Sequence, residues 1–408
     1  MLDFFAIVIS ISALFGFINY KWLKMPTTIG VMLISVVLAL SLKVTETFSP
    51  EMVLPFRLFL TGFDFSSFVL DFILSFLLFA GAMHVNIQNL KGARSTVLSY
   101  ATIGVLLSTF IIGILTKLIT GWFGYELDLL VCLLFGALIS PTDPIAVIGI
   151  LSQYNIPKKL KTEIIGESLF NDGVGVVVFT AIFSLLAGGH GSFSWQGILT
   201  LFSQEVFGGI AIGLGTGYIG YWAMKRIDHY QTEILITLSI VTGGYALASS
   251  MHASGPLAMV VAGLLIGNKG KENAMSEITN EYVDKFWELI DEICNTLLFV
   301  LMGLEIFLLP FDKTYILIGC LLIIVSLVAR YVSLLPAFYL FNRKESNKKL
   351  NMAVLTWGGL RGGISIALSL SLYNKVEGSS LLIAATYCIV LFSILVQGLT
   401  IKRLLGRF

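Results

Sequence analysis

Charge is scarce in this sequence. Asp, Glu, Lys and Arg make up 12% of its 408 residues, against 56% hydrophobic, whereas a soluble domain carries roughly 25% charged residues. With a mean hydropathy of +0.90, most of the chain belongs in lipid and no stretch is left for a soluble domain. An excess of either sign is also missing. A net charge of +1 argues against nucleic acid or an acidic macromolecule as partner. Cysteine is rare as well: Cys132, Cys294, Cys320 and Cys388 lie inside apolar runs with no C-x-x-C spacing, which argues against disulfide or metal use. A basic leader is absent, because Met1-Leu2-Asp3 opens directly into an apolar run that reaches about Leu23 without a small-residue cleavage site. That run reads as a first membrane anchor.

What is abundant is apolar sequence in lengths that cross a bilayer. At about 20 residues per helical crossing, roughly thirteen spans can be placed. They lie near 3–20, 26–42, 66–87, 97–118, 128–151, 163–188, 197–224, 232–250, 254–268, 284–309, 314–341, 350–372 and 380–402. The stretch 50–64, with Pro50, Pro55 and Gly62, is open between a loop and a re-entrant piece. An odd count puts the termini on opposite sides. The loops after odd-numbered spans, with the C-terminus, hold 19 Lys and Arg, and the other loops hold 5. By the positive-inside rule the N-terminus is outside and the C-terminus cytoplasmic, in a bacterial or archaeal plasma membrane.

Ionisable groups at membrane depth cost at least ~2.5–3.5 kcal/mol each, so each one is a functional hypothesis. They cluster in four spans. The fifth contains Ser140-Pro141-Thr142-Asp143-Pro144, where two prolines delete backbone donors and break the helix. The carbonyls freed around Ala137 to Ser140, beside the Asp143 carboxylate, are suited to a hard cation. The sixth contains Glu167-Ser168-Leu169-Phe170-Asn171-Asp172. Ser168 and Asp172 share one helix face, Glu167 and Asn171 another, so the two acids have different partners. Asp172 is the candidate for a wet cavity, and Glu167 needs a fixed countercharge. Arg330 in the eleventh span is its expected mate, since a guanidinium prefers a bidentate carboxylate. In the twelfth, Trp357-Gly358-Gly359-Leu360-Arg361-Gly362-Gly363 loosens the helix around Arg361. That arginine is expected to neutralise the carboxylate and half-helix carbonyls of the fifth span.

Spans 1–6 and 8–13 form two inverted six-span halves, with interrupted spans 5 and 12 in equivalent places. Paired breaks of this kind point to a transporter site at the midplane. The expected fold is therefore all-α, with about thirteen transmembrane helices in two inverted repeats.

On Ser140-Pro141-Thr142-Asp143-Pro144, Glu167-Ser168-Leu169-Phe170-Asn171-Asp172-Gly173 and Gly359-Leu360-Arg361-Gly362, the chain resembles NhaP-type Na⁺/H⁺ antiporters of the monovalent cation:proton antiporter family, over essentially its whole length. The resemblance implies a homodimer and an elevator-type movement. The core would be about 97–188 and 314–408, and the dimerisation part about 1–90 and 197–309. It implies a cation/proton site of Asp172, Asp143, Thr142, Ser168 and Asn171, with Na⁺ at the first four, a Glu167–Arg330 ion pair, and Arg361 at the helix crossing. Some relatives carry a glutamate in span 3, where Phe79-Ala80-Gly81-Ala82 stands here, and Ala80 cannot be a ligand. The chain ends six residues after Lys402, so no long regulatory tail is expected.

The function expected is secondary exchange of Na⁺ or Li⁺ for H⁺, in pH and sodium homeostasis, with no cofactor and no enzymatic reaction. K⁺/H⁺ exchange is the alternative within the fold. A cation channel is disfavoured by the paired buried charges, and an intramembrane protease lacks its Gly-Asp or His-x-x-x-His motif. Because position 171 is asparagine, the ion-facing pair offers one titratable carboxylate, and electroneutral 1:1 exchange is expected.

Overall fold

Backbone polar groups in lipid must be satisfied within the segment, and this chain meets the requirement with helices. A computed structural model describes residues 2–143, 156–187, 195–310, 312–341 and 347–406. Its helices are α1 (Leu2–Ile18), α2 (Thr27–Phe48), α3 (Pro50–Thr61), α4 (Phe65–Met83), α5 (Ile87–Trp122), α6 (Leu129–Ile139), α7 (Lys158–Ala187) and α8 (Trp195–Met224). After them come α9 (Tyr230–Ser250), α10 (Gly255–Leu265), α11 (Glu277–Glu305), α12 (Lys313–Phe341), α13 (Lys348–Trp357), α14 (Gly363–Ser371) and α15 (Ser379–Leu405). Among the described residues, 8 helices are long and apolar enough to cross a membrane. The fold is all-α and multi-pass.

Local chemistry sets several boundaries. Asp128 accepts from the Leu130 N–H at 2.8 Å to start α6, and the Ser254 and Ser276 hydroxyls accept N–H bonds from Leu257 and Thr279 at 3.3 Å to start α10 and α11. These are N-caps that satisfy otherwise orphaned donors. The stretch left open between loop and re-entrant piece is mostly helix, α3. Pro50 sits in its first turn, where the missing N–H costs nothing. Pro55 is tolerated inside it because the carbonyl left without a partner, that of Glu51, is on an exposed residue.

The surface is apolar and the interior holds the polar groups. Leu14, Ile103, Phe110, Phe207, Ile324 and Val328 are exposed, as lipid-facing residues should be. Small residues let helices meet at their backbones: Gly213 and Gly217 of α8 lie against Ala258 and Ala262 of α10, a contact that larger side chains would push apart. One apolar cluster is built from α5, α6, α7, α12, α14 and α15, around Phe135, Leu322 and Leu382. A second runs through α1, α2, α4, α10 and α11 and includes Met32, Phe79 and Trp287.

Two breaks interrupt this packing. α6 stops at Ile139 and residues 140–143 are not helical, while the rest of the expected fifth span, 144–151 with Pro144, lies outside the described residues. The twelfth span divides into α13 and α14, with 358–362 non-helical between them.

Candidate functional site

A helix that stops inside the membrane leaves carbonyls without partners at its C-terminal end, and the two breaks resolve this by crossing each other. The Asp143 N–H donates to the Leu360 carbonyl at 2.8 Å, joining the breaks backbone to backbone. The Arg361 guanidinium reaches the end of α6, donating to the Ser140 carbonyl and to that of Pro141 at 2.9 Å. Ser365 donates to the Leu138 carbonyl at 2.6 Å, and Ser168 to that of Thr142. Freed carbonyls were expected to serve as cation ligands. Those of Leu138 and Ser140, within the expected stretch, and of Pro141 and Thr142 beyond it each accept a protein donor, from α14, from Arg361 in the second break and from α7. A positive charge at a helix C-terminus is also favoured by the helix dipole.

Arg330 treats the other break in the same way. It lies in a bidentate pair with Glu167, Nη2 to Oε2 at 2.9 Å, and the same Nη2 donates to the Leu355 carbonyl near the end of α13 at 3.2 Å. Gly359 makes room for it: a Cβ there would come within 2.6 Å of the Arg330 Nε. Behind this break the π-helical turn Ser393–Gln397 of α15 supplies two anchors. Ser393 Oγ accepts from the Arg361 N–H at 2.9 Å, and the Gln397 amide donates to the Trp357 carbonyl at 3.1 Å.

Thr142 and Asn171 hold each other. The Asn171 amide donates to the Thr142 hydroxyl at 2.8 Å and its oxygen accepts the Thr142 N–H at 3.4 Å. Asn171 is fully buried, and both ends of its amide go to this clasp, which makes it a positioning residue for the break. Asp172 faces elsewhere. It is 9% exposed and has no hydrogen bond or ion pair among the described residues. With Asp143 and Ser168 it lines a cavity of about 550 Å³ between α4, α7, α11 and α14. The Asp143 carboxylate lies against Gly362, at the amino end of α14, where the dipole favours a negative charge.

The polar groups do not stop at the four expected spans. Glu288 and Asp291 of α11 line the same cavity, and both fall inside the expected tenth span. Their i,i+3 spacing, which puts them on one helix face, was the available signal. Ala80 is fully buried and lies outside the cavity wall, to which α4 contributes Leu74, Leu77, Leu78 and Gly81. The described residues hold no group of three or more His, Cys, Asp or Glu arranged to bind a metal.

Gly362 offers a test of this geometry. An added Cβ would come within 2.7 Å of Asp143 Cβ and 2.9 Å of its Cγ, and overpacking of this kind costs about 1–3 kcal/mol. Gly362→Ala is expected to displace Asp143 and cut transport at least roughly ten-fold, a factor of about 1.4 kcal/mol. Wild-type transport by the variant in vesicles would contradict this contact.

Two interrupted helices joined at their breaks, with buried charges around a cavity carboxylate, define a membrane carrier. The chain belongs to the transmembrane sodium/hydrogen exchanger family, whose model matches residues 8–407. It is 45% identical to the Na(+)/H(+) antiporter NhaP of Pseudomonas aeruginosa over 412 residues, covering 100% of this chain and 97% of that one. It is 32% identical to the Na(+)/H(+) antiporter NhaH of Halobacillus dabanensis, covering 95% and 93%. Its fold matches that of the solved sodium proton antiporter MjNhaP1 of Methanocaldococcus jannaschii with a TM-score of 0.77 at 20% identity, covering 100% of this chain and 98% of that one.

Proposed function

We propose that this chain exchanges Na⁺, and Li⁺, for H⁺ across a bacterial or archaeal plasma membrane, one cation for one proton, in the service of pH and sodium homeostasis. The observation that carries this reading is Asp172: a carboxylate almost wholly buried, without a protein partner among the described residues, facing a cavity. Such a group needs a proton or a cation, and one carboxylate holds one at a time. The two ligands therefore exclude each other, and that is coupling. Asp143 and Ser168 complete the cavity side of the site. Thr142 and Asn171 brace it from behind. Glu167 keeps its charge against Arg330, and Asp143 keeps its own at the end of α14, so Asp172 is the single carrier and exchange is electroneutral. The chain is a secondary transporter and not an enzyme.

The remaining architecture follows the same reading. Thirteen spans in two inverted halves place the two breaks in equivalent positions, the N-terminus outside and the C-terminus in the cytoplasm. The cluster around Phe135 and Leu322 supports a core of about 97–188 and 314–408 that moves against a dimerising part of about 1–90 and 197–309. The cavity mouth carries His84 and Glu288, next to loops assigned to the cytoplasm, so the state described is open inward.

The test is a pH-dye assay in proteoliposomes with Na⁺, Li⁺ and K⁺ compared side by side, followed by a separate measurement with Na⁺ under a K⁺/valinomycin potential. Na⁺ and Li⁺ gradients are expected to drive proton movement. The Na⁺ gradient at which net proton flow stops is expected not to move with voltage, although each unbalanced charge is worth ~2.3 kcal/mol per 100 mV. A voltage-dependent null point overturns the 1:1 stoichiometry. A response to K⁺ equal to that for Na⁺ overturns the assigned cation.

A further inference from the structure

The cavity that exposes Asp172 has a second acidic wall. Among the described residues four carboxylates line it, those of Asp143, Asp172, Glu288 and Asp291, and the only other titratable group in that lining is His84 at the mouth. No lysine or arginine among the described residues lines it, and Lys271, which donates to the Met83 carbonyl beside His84 at 3.4 Å, is paired with Asp284. Glu288 is exposed at the mouth and Asp291, one turn deeper on the same face of α11, is half-buried. Asn295 continues that face with an Oδ1 that is buried and has no partner among the described residues. The face thus descends from an exposed acid to a half-buried acid to an unsatisfied oxygen, and the cavity that Glu288 and Asp291 line also holds Asp172, itself more than nine-tenths buried and without a partner among the described residues. Clefts lined by one sign of charge between low-dielectric walls concentrate the opposite ion.

The two walls differ in what they belong to. Asp143, in the break that follows α6, and Asp172, on α7, belong to the part read above as mobile, while Asp291 sits on α11, in the part read as stationary. We propose that Asp291 receives the incoming cation from the cavity and passes it to Asp172, and that it does so on one side of the membrane only. This rests on the exchange reading and adds to it. When the core moves, Asp172 carries its ligand away and Asp291 stays behind. Asp291 therefore lowers the cation concentration needed for loading through the cavity and has no part in loading from the opposite face.

The experiment is Na⁺-dependent dye quenching in everted and right-side-out membrane vesicles of cells lacking other Na⁺/H⁺ exchange. Asp291→Asn, Asp291→Glu and Glu288→Gln are compared with wild type. Everted vesicles load from the cytoplasmic, cavity face. There Asp291→Asn is expected to raise the half-saturating Na⁺ concentration roughly ten-fold, the lower end of electrostatic focusing. In right-side-out vesicles it is expected to leave that concentration unchanged. Asp291→Glu, which keeps the charge, is expected to stay near wild type, and Glu288→Gln, at the exposed mouth, to shift less than Asp291→Asn. Added choline chloride is expected to shrink the difference between wild type and Asp291→Asn. An equal shift on both faces, or no shift on either, overturns the proposal. Wild-type vesicles that exchange no protons for Na⁺ would overturn the exchange reading itself, which is a separate outcome.

Discussion

Asp172→Asn is expected to abolish cation-driven proton movement while leaving the protein folded and inserted. Asparagine has nearly the same shape, so the loss is of charge alone. At about 4 Å and an effective dielectric near 20 a carboxylate attracts a monovalent cation by ~4 kcal/mol, which is about a thousand-fold in affinity. The amide also cannot take up the proton that must return. Folding is spared because Asp172 has no hydrogen bond or ion pair among the described residues whose loss would orphan a neighbour, and the Thr142–Asn171 clasp next to it is untouched. The measurement is dye quenching in proteoliposomes together with a melting curve in detergent. Na⁺-dependent proton movement at even a tenth of the wild-type rate would show that another group carries the ligand.

The second large effect is on stability. Removing one member of a buried ion pair typically costs ~3–5 kcal/mol, because the other is left charged and unpaired. Glu167→Gln and Arg330→Ala are both expected to lower the melting temperature in detergent, Arg330→Ala the more. The reason for the order is the extra bond from Arg330 to the Leu355 carbonyl, which the arginine variant also loses. In the double variant Glu167→Gln/Arg330→Ala the unpaired charge is gone but the Leu355 carbonyl still lacks a donor. The double loss is therefore expected to be smaller than the sum of the two single losses and larger than zero. Strict additivity would show that the two side chains do not interact energetically.

Much of this arrangement could be read before any coordinates. Pro141 and the glycines around Arg361 mark breaks because proline lacks a donor and glycine lacks a side chain, and both effects are local. A guanidinium selects a carboxylate, and Glu167 is the one the structure places against Arg330. Helical spacing separates Glu167 from Asp172 without knowledge of the neighbours. The parts that could not be read depend on residues distant in sequence. The carbonyls of Leu138 and Thr142 are free or occupied according to whether Ser365 and Ser168 arrive beside them, and a break in one helix says nothing about donors on another. Asp291 was obscured for a related reason. The first half of α11 carries Glu277, Glu281, Asp284, Glu288, Asp291 and Glu292, and only the packing of α4, α7 and α14 shows which of them meet a cavity. α3 was obscured by its own prolines, one of which begins the helix.

The crossing brings its own permanent positive charges. With Arg361 on the end of α6 and Arg330 near the end of α13, no bound metal ion is required to keep the half-helices in place, and the site is shaped before its cargo arrives. Cargo therefore need not supply the charge that holds the ends of the breaks, and little of its binding energy goes into ordering the chain. An ion held this way need be no more tightly bound than the gradient demands, which is the condition for fast turnover in a carrier that must let go on one side as readily as it takes hold on the other.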